Sequence, residues 1–470
     1  MRFLIVPNYA HPYDQRMVSG LATALCNIGH EAHALHAPLP DLELVRMCNT
    51  LGADVVMQVN RVRPRDPALP PKVRHITWFQ DVFPETMEDF LSGIRDSDIV
   101  YVLGDADVLG LKVKLPCQVG CLVTGVDEAT LNFENPQALK KTDYIDFSLC
   151  GFIPPPFETT PSAKSDILWY WDDMFSRIPI IGKLGVVQLL RRALFRKHVP
   201  IDYVPYAVLV ALGDIAQGLY KPLRGELDIH FLSEAMRDHA SLVTGPRPPH
   251  VNRRPAKQRD GRIGMLLRPY GPSFGNRRIA VRNPLVRLAM LASRVRKNED
   301  AIDQAISYFA RDYPRLLDRA ELVRRIMHVS KSLELYGPGW DKHEQFKPHH
   351  KGILHDQRDL LAVYRRTRIN LANNTHGLGL HSRTLECMAV GGFVLTHASP
   401  HDAKPGGMHT SFEPGVHYGM FTPGNLEEEA RRWLKDEARR IAAGRRAAAV
   451  IRKKHLWRHR AEQILNDLKQ

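Results

Sequence analysis

Phe3-Leu4-Ile5-Val6-Pro7 opens the chain, the amphipathic stretch of residues 17–28 follows and stops at Gly29, and Glu31-Ala32-His33-Ala34-Leu35-His36 comes next. A short apolar run, a helix-length segment and a second short run make the start of a strand–helix–strand unit. Gly29 fits the left-handed stop of that helix. The rhythm continues through residues 54–59, 73–79, 99–103 and 117–123, with residues 42–51 as a further amphipathic segment. Strands that are apolar on both faces belong to a parallel sheet covered by helices on each side. The pattern therefore predicts a doubly wound domain. Ligands of such sheets lie beyond the carboxyl ends of the strands, which here means Asn8, Tyr9 and His11 after strand one and Gln80 and Asp81 after strand four.

A second series begins at Ile145-Asp146-Phe147-Ser148-Leu149-Cys150-Gly151, a strand running into a glycine turn. From about residue 154 to 325 the text is helical and proline-punctuated. The α/β rhythm returns at Leu333-Glu334-Leu335-Tyr336-Gly337, then a helix over 360–368, the strand Ile369-Asn370-Leu371-Ala372, a helix over 383–390 and the strand ending Val394-Leu395-Thr396. Residues 426–468 read as closing helices. The strands at Asp146 and Leu333 look like neighbours in one sheet, so the expectation is two Rossmann-like domains facing a cleft. Residues 1–138 form the first. Residues 139–155 and 326–470 form the second, and 156–325 are a large, mainly helical, basic insertion in it.

The chain has 470 residues, room for about three domains at roughly 150 each. Its 44% apolar and 25% charged residues are those of a globular protein, not a disordered or fibrous one. With 65 Lys and Arg against 51 Asp and Glu, the formal charge is +14, which calls for an anionic partner. Four apolar residues before Pro7 are too few for a secretory signal, and no run reaches a membrane span. The expected location is cytoplasmic, with reduced cysteines.

The segment His376-Gly377-Leu378-Gly379-Leu380-His381-Ser382-Arg383-Thr384-Leu385-Glu386 carries the chemistry. A glycine-containing loop enters a helix whose first turn holds Arg383 and Thr384. Free backbone N–H groups and the dipole at a helix start favour phosphate oxygens, and Arg383 adds a charge-assisted fork. Glu386, three residues on, is placed to accept both hydroxyls of a ribose. The bland alternative is an ordinary junction capped by Ser382, with Glu386 a surface acid.

Tyr336-Gly337-Pro338-Gly339-Trp340, Lys351-Gly352-Ile353-Leu354-His355, Leu360 to Tyr364, Arg368-Ile369-Asn370-Leu371, Ser382-Arg383-Thr384-Leu385-Glu386, Gly391-Gly392-Phe393-Val394-Leu395-Thr396 and Phe412-Glu413-Pro414-Gly415 follow in order. That series resembles the C-terminal half of CgeB-like glycosyltransferases, within the glycosyl transferases group 1 set of GT-B fold. The resemblance implies a hexosyltransferase-like enzyme. A nucleotide-diphosphate sugar would be the donor, and a glycan, protein or lipid-linked group the acceptor. Arg383 and the 382–385 amides would face the diphosphate, Glu386 the ribose. Gly151, Tyr336, Gly337, the strand end at 353–355 with His355, and His381 would surround the rest of the donor. No bound metal or cofactor is implied, because cationic side chains and a helix dipole stabilise the departing diphosphate.

One departure bears on stereochemistry. Many retaining relatives place a second Glu eight positions before the ribose-binding one, and Leu378 stands there. Inversion needs a general base at the acceptor, for which His11 and Asp81 are the candidates. A non-catalytic sugar-nucleotide or glycan-binding protein is the alternative function. A nucleic-acid role rests on charge alone, and no dinucleotide fingerprint follows strand one. Asp105-Ala106-Asp107 reads as a turn and cap rather than a metal site. The histidines at 349, 350, 355, 397, 401, 409 and 417 read as solvated loop residues, and Asn373 and Asn374 as turn residues. Residues 247–297 hold fourteen Lys or Arg against one acid, Asp260. They read as a solvated face, as a grip on an acidic acceptor, or as a dock on an anionic membrane through the interfacial helix around Leu288–Leu291.

Overall fold

The computed structural model describes residues 1–83, 91–133, 143–154, 206–244, 303 and 305–469. Two sheets organise them. In the first, β1 (Arg2–Val6), β2 (Glu31–Ala34), β3 (Val55–Val59), β4 (Arg74–Phe79), β5 (Ile99–Val102) and β6 (Gln118–Cys121) lie in the order β2-β1-β3-β4-β5-β6. In the second, β7 (Ile145–Cys150), β8 (Leu333–Tyr336), β9 (Thr367–Ala372), β10 (Val394–His397) and β11 (Gly419–Phe421) lie in the order β11-β10-β9-β7-β8. Every pairing is parallel. Counted within each sheet, both share one strand order, with the reversal between β1 and β3 and between β7 and β9. The expected pair of Rossmann-like units is present. Their reversal points are where such sheets open a crevice.

The apolar strands are buried as their composition requires: Phe3, Leu4, Ile5 and Val6 are at most 1% exposed. The first helix, Pro12–Asn27, starts on His11 as N-cap with proline at its first position, and Gly29 follows at φ 87° as the stop. The short edge strand β11 was not foreseen; Gly419-Met420-Phe421 is too brief to show a period.

Strands β7 and β8 are adjacent and parallel, as expected, so the long inserted stretch lies between them. Its described helices, Tyr206–Leu219 and Ile229–Thr244, do not form a separate body. Leu212, Ala216, Tyr220, Leu232 and Met236 share one core with Phe147 of β7 and Leu335 of β8. The helix Tyr313–Met327 lies partly inside the expected insertion yet packs on the sheet through Leu322, Val323 and Ile326 as the crossover into β8. The basic stretch 247–297, on which the expected interfacial helix falls, lies outside the described residues. Among the described residues no helix is long and apolar enough to cross a membrane.

The last helix, Trp457–Asp467, corrects the expected domain boundary. It joins the first domain's core through Trp457, Ala461, Ile464 and Leu465. Tyr101 Oη donates to Asp467 Oδ2 at 2.6 Å, and Arg460 Nε and Gln463 Nε2 donate to the carbonyls of Val123 and Cys121. Trp457 meets Trp78 edge-on at 6.3 Å. A Cβ on Gly125 would stand 2.5 Å from the Trp457 ring, so only glycine admits the indole there. The domains also touch at the cleft floor. Leu378 leaves the second domain to join Phe79, Phe83 and Val102 in a first-domain cluster, and Lys404 Nζ lies 3.8 Å from Asp105.

The crossing helix makes a stability prediction. Trp457→Ala removes a buried aromatic wedge and is expected to cost about 3–5 kcal/mol in denaturant unfolding of the native chain. A loss below about 1 kcal/mol would show that this helix does not hold the first domain.

Candidate functional site

The second domain's reversal point lies between the ends of β7 and β9, and three arginines converge there. Arg383, in the helix Ser382–Ala389, donates through Nη1 to the Cys150 carbonyl at 3.2 Å. A Cβ on Gly151 would come within 2.5 Å of that nitrogen. The glycine is what lets the guanidinium lie against the turn. Arg319 and Arg315 reach the same turn from the helix Tyr313–Met327, with their guanidinium carbons 4.7 and 5.3 Å from the centre of the Phe152 ring. Spaced four apart, they share one helix face.

Arg319 is 5% exposed, and its Nη1 has no hydrogen-bond partner among the described residues. Burial first, then the charges of Arg383 and Arg315, push its guanidinium well below the ordinary value, with Asp318 opposing. Burial lowers Arg315 too, with Arg311 and Arg383 adding to that and Asp312 and Asp81 opposing. Asp318 is itself committed: it accepts from Tyr220 Oη, the Leu223 amide and Asn373 Nδ2. A buried cation without a counter-charge is costly. This cluster is short of negative charge.

A cavity beside it is lined by Arg319, Tyr364, Asn373, His381, Arg383 and Thr384. The Tyr364 hydroxyl and Asn373 Oδ1 are buried there without partners among the described residues. His381, not Ser382, is the helix N-cap; its Nδ1 accepts from the Arg383 amide. Burial and the charges of Arg383, Arg319 and Arg315 bring His381 down to about 3, so the ring stays neutral.

Glu386 sits one turn further on, at the domain boundary. Gln357 Nε2 donates to its Oε1 at 3.3 Å. It shares a small cavity with Tyr13, Arg16, Asp127 and Ser382. Burial raises its carboxyl to about 7; Asp127 adds to the rise while Arg16, Arg383 and Gln357 oppose it. Glu386 is thus not the surface acid of the bland reading.

The other expected donor residues divide. Ser382 and Thr384 are buried at the site, while the Leu385 side chain is in the core at 0% exposure, leaving only its amide to face a ligand. Gly337, at φ 120°, turns the chain after β8 and presses on the Gly151 carbonyl. Tyr336 is scaffold: its ring is buried, its hydroxyl donates to Glu334 Oε2 at 2.6 Å and accepts from Arg366. The strand expected at 353–355 is a loop, and His355 is exposed on it, beside an opening lined by Pro12, Arg16 and His36.

Across the cleft, Asp81 is exposed and accepts from Asn60 Nδ2 at 2.8 Å, and its charge reaches Arg315. His11 is occupied differently. Its Nδ1 accepts from the Tyr13 amide at 3.3 Å as the first helix's cap. With that lone pair used, a neutral ring carries its proton on Nε2. Asp14, unforeseen, accepts from the Tyr9 amide beside both; burial first and Asp81 last raise its carboxyl.

Asp105 caps its turn by accepting from the Val108 amide at 3.0 Å, as expected of a turn residue. Among the described residues no cluster of three or more His, Cys, Asp or Glu side chains could hold a metal ion. Not all the histidines are solvated: His397 is 3% exposed and accepts from the Asn374 amide. Asn373 and Asn374 follow β9 at the reversal point, so they line the cavity as well as turning the chain. Sequence reasoning missed Arg315, Arg319 and Phe152, and gave Tyr364 no place at the cavity. The one available signal was the cation pair four apart after Pro314.

Glu386 supplies a test by pH. Its folded value lies above the ordinary 4.5, so the folded chain keeps a proton that the unfolded chain releases between about pH 4.5 and 7. The carboxyl's favourable contribution is complete below that window and lost as pH rises through it. Glu386→Gln should match the native chain in thermal unfolding near pH 4. It should exceed it by about 2–3 kcal/mol at pH 8. A pH-independent difference would mean that Glu386 is not buried as described.

Residues 314–466 match a family model described as "Glycosyl transferase-like". A search of curated protein sequences finds no match. Among solved structures, Anabaena Alr3699/HepE in complex with UDP-glucose is similar at 10% identity and a TM-score of 0.45, covering 100% of this chain and 99% of that one. A glycosyltransferase from Rickettsia africae ESF-5 is similar at 10% identity and a TM-score of 0.41, covering 100% and 97%. Such overall likeness is weak, and the fold assignment stands on the two strand orders. The matched segment begins at the helix that brings Arg315 and Arg319 and ends within the helix that returns to the first domain. The similarity to the glycosyl transferase-like family model thus lies in residues 314–466.

Proposed function

We propose that this chain transfers a sugar from a nucleotide-diphosphate donor to an acceptor held by the first domain, in the manner of the CgeB-like enzymes that its ordered motifs resemble. The observation that carries this reading is the buried, unpartnered Nη1 of Arg319 beside Arg315 and Arg383. A diphosphate brings the missing negative charge, and its oxygens match guanidinium forks. The same groups then serve the reaction. As the bond from the sugar to the diphosphate breaks, charge builds on the departing oxygen, and fixed cations stabilise it without rearranging. This chemistry asks for no metal.

Asp81 is the proposed base. It faces Arg315 across the cleft, so an acceptor hydroxyl bound between them meets a carboxylate on one side and the diphosphate-bearing sugar on the other. His11, with Nδ1 engaged as a cap, orients the loop after β1. Leu378, where a retaining relative would have a carboxylate, is packed into the first domain's apolar cluster. Inversion of configuration is part of this proposal, and the apolar place of Leu378 supports it. A glycan or lipid-linked acceptor at an anionic membrane remains part of the proposal through the basic residues 247–297.

The test is release of nucleoside diphosphate from a panel of nucleotide sugars, with and without saccharide acceptors. Asp81→Asn should lower kcat by about 10²–10⁴ while donor affinity holds. Arg319→Met should weaken nucleoside diphosphate by about 10–100-fold and leave the matching nucleoside unchanged. Binding without turnover for every donor and acceptor would favour the non-catalytic alternative.

A further inference from the structure

The cavity around Glu386 is built by both domains. The first helix contributes Tyr13 and Arg16, the loop after β6 contributes Thr124, Gly125 and Asp127, and the second domain contributes Gln357, Ser382 and Glu386. Tyr13 and Ser382 line it from opposite domains. Burial against the second domain pushes the Tyr13 hydroxyl up to about 12, so it stays a neutral donor.

We propose that Arg16, from the first domain, is a positioning residue for the nucleotide site, holding Glu386 in its carboxylate form across the domain boundary. This rests on the reading that Glu386 binds the ribose. A ribose hydroxyl donates its hydrogen, so it needs an acceptor-only carboxylate opposite it. Burial favours the protonated acid, and Asp127 pushes the same way. The other groups facing Glu386 are Tyr13 on the first helix, Gln357 and Tyr364 on the neighbouring helix, and Arg383 and Cys387 on its own helix. Arg383 is already engaged with the Cys150 carbonyl and the diphosphate cluster. Arg16 opposes protonation more strongly than Arg383 does, and it belongs to the opposite domain. Donor binding is then completed only when the two domains are together, which confines a reactive sugar donor to the closed cleft.

The experiment is a calorimetric titration from pH 5.5 to 9 of the full chain with UDP, ADP, GDP and dTDP, and with the nucleoside of whichever binds. Native affinity should rise as pH passes through about 7. Arg16→Met should move that midpoint up by about one unit, weakening binding about 3-fold at pH 7.5 and about 8-fold at pH 6, and restoring it by pH 9. Arg16→Lys should keep the native midpoint. The nucleoside, which lacks phosphates, should show the same displacement. An Arg16→Met loss that is equal at every pH, or confined to the diphosphate, would overturn the proposal. So would an unmoved midpoint in Arg16→Met while Glu386→Ala abolishes binding, and that outcome leaves the ribose reading intact. Failure of every diphosphate to bind the native chain would overturn both.

Discussion

Three guanidinium groups drawn together, with Asp312 lying 3.8 Å from Arg315 and no acid paired with Arg319 or Arg383 among the described residues, are the constraint on which the rest of this molecule depends. Like charges in a low-dielectric setting repel, and a fold that forces Arg315, Arg319 and Arg383 toward one turn needs strong packing to do so. That packing is visible. Tyr313–Met327 is pinned to the sheet by Leu322, Val323 and Ile326, Phe152 supplies a π-face for two of the cations, and Gly151 leaves room for the third. Asp318 offsets the cluster only in part: its charge acts on Arg319, but its oxygens are held by Tyr220, Leu223 and Asn373. This repulsion lies beside a polar cavity lined by Arg319, Arg383, Asn373 and Tyr364, and the proposed diphosphate site rests on that arrangement.

The inserted helices belong to that arrangement. They share the second sheet's core, and their connecting loop reaches the end of β9, where the Leu227 amide donates to the Thr375 carbonyl. The long detour between β7 and β8 therefore ends by delivering two cations to the turn it left. The final helix does the reverse, carrying the chain back to the first sheet, where Trp457 fits against Gly125. Together with Leu378, these crossings hold the two domains against one another, so that the charge of Asp81 reaches Arg315.

Much of this was legible in the sequence. Strands buried on both faces announce themselves as unbroken apolar runs, so the strands β1 to β10 lie close to where periodicity put them. The loop and helix from His376 to Glu386 read as an anion site because glycine, arginine and a helix start are local signals. The arginines of Tyr313–Met327 were not legible, since their role comes from a crossover in space and their sequence is that of any amphipathic helix. Tyr336 looked like a site residue by neighbourhood, but Glu334 and Arg366 use its hydroxyl. Trp457–Asp467 looked like the end of the second domain because it follows that domain in the chain, and only packing reveals its partner. Arg16 and Glu386 are 370 positions apart, and nothing local links them.

The central claim is that the arginine cluster is a diphosphate site, and calorimetry of matched ligands tests it most directly. UDP, ADP, GDP and dTDP are each titrated into the native chain beside the corresponding nucleoside at low salt. The account predicts that at least one diphosphate binds about 100-fold more tightly than its nucleoside, a difference of about 2.7 kcal/mol, and that added salt narrows the gap. Equal affinities for diphosphate and nucleoside, or no binding by any diphosphate, would contradict it.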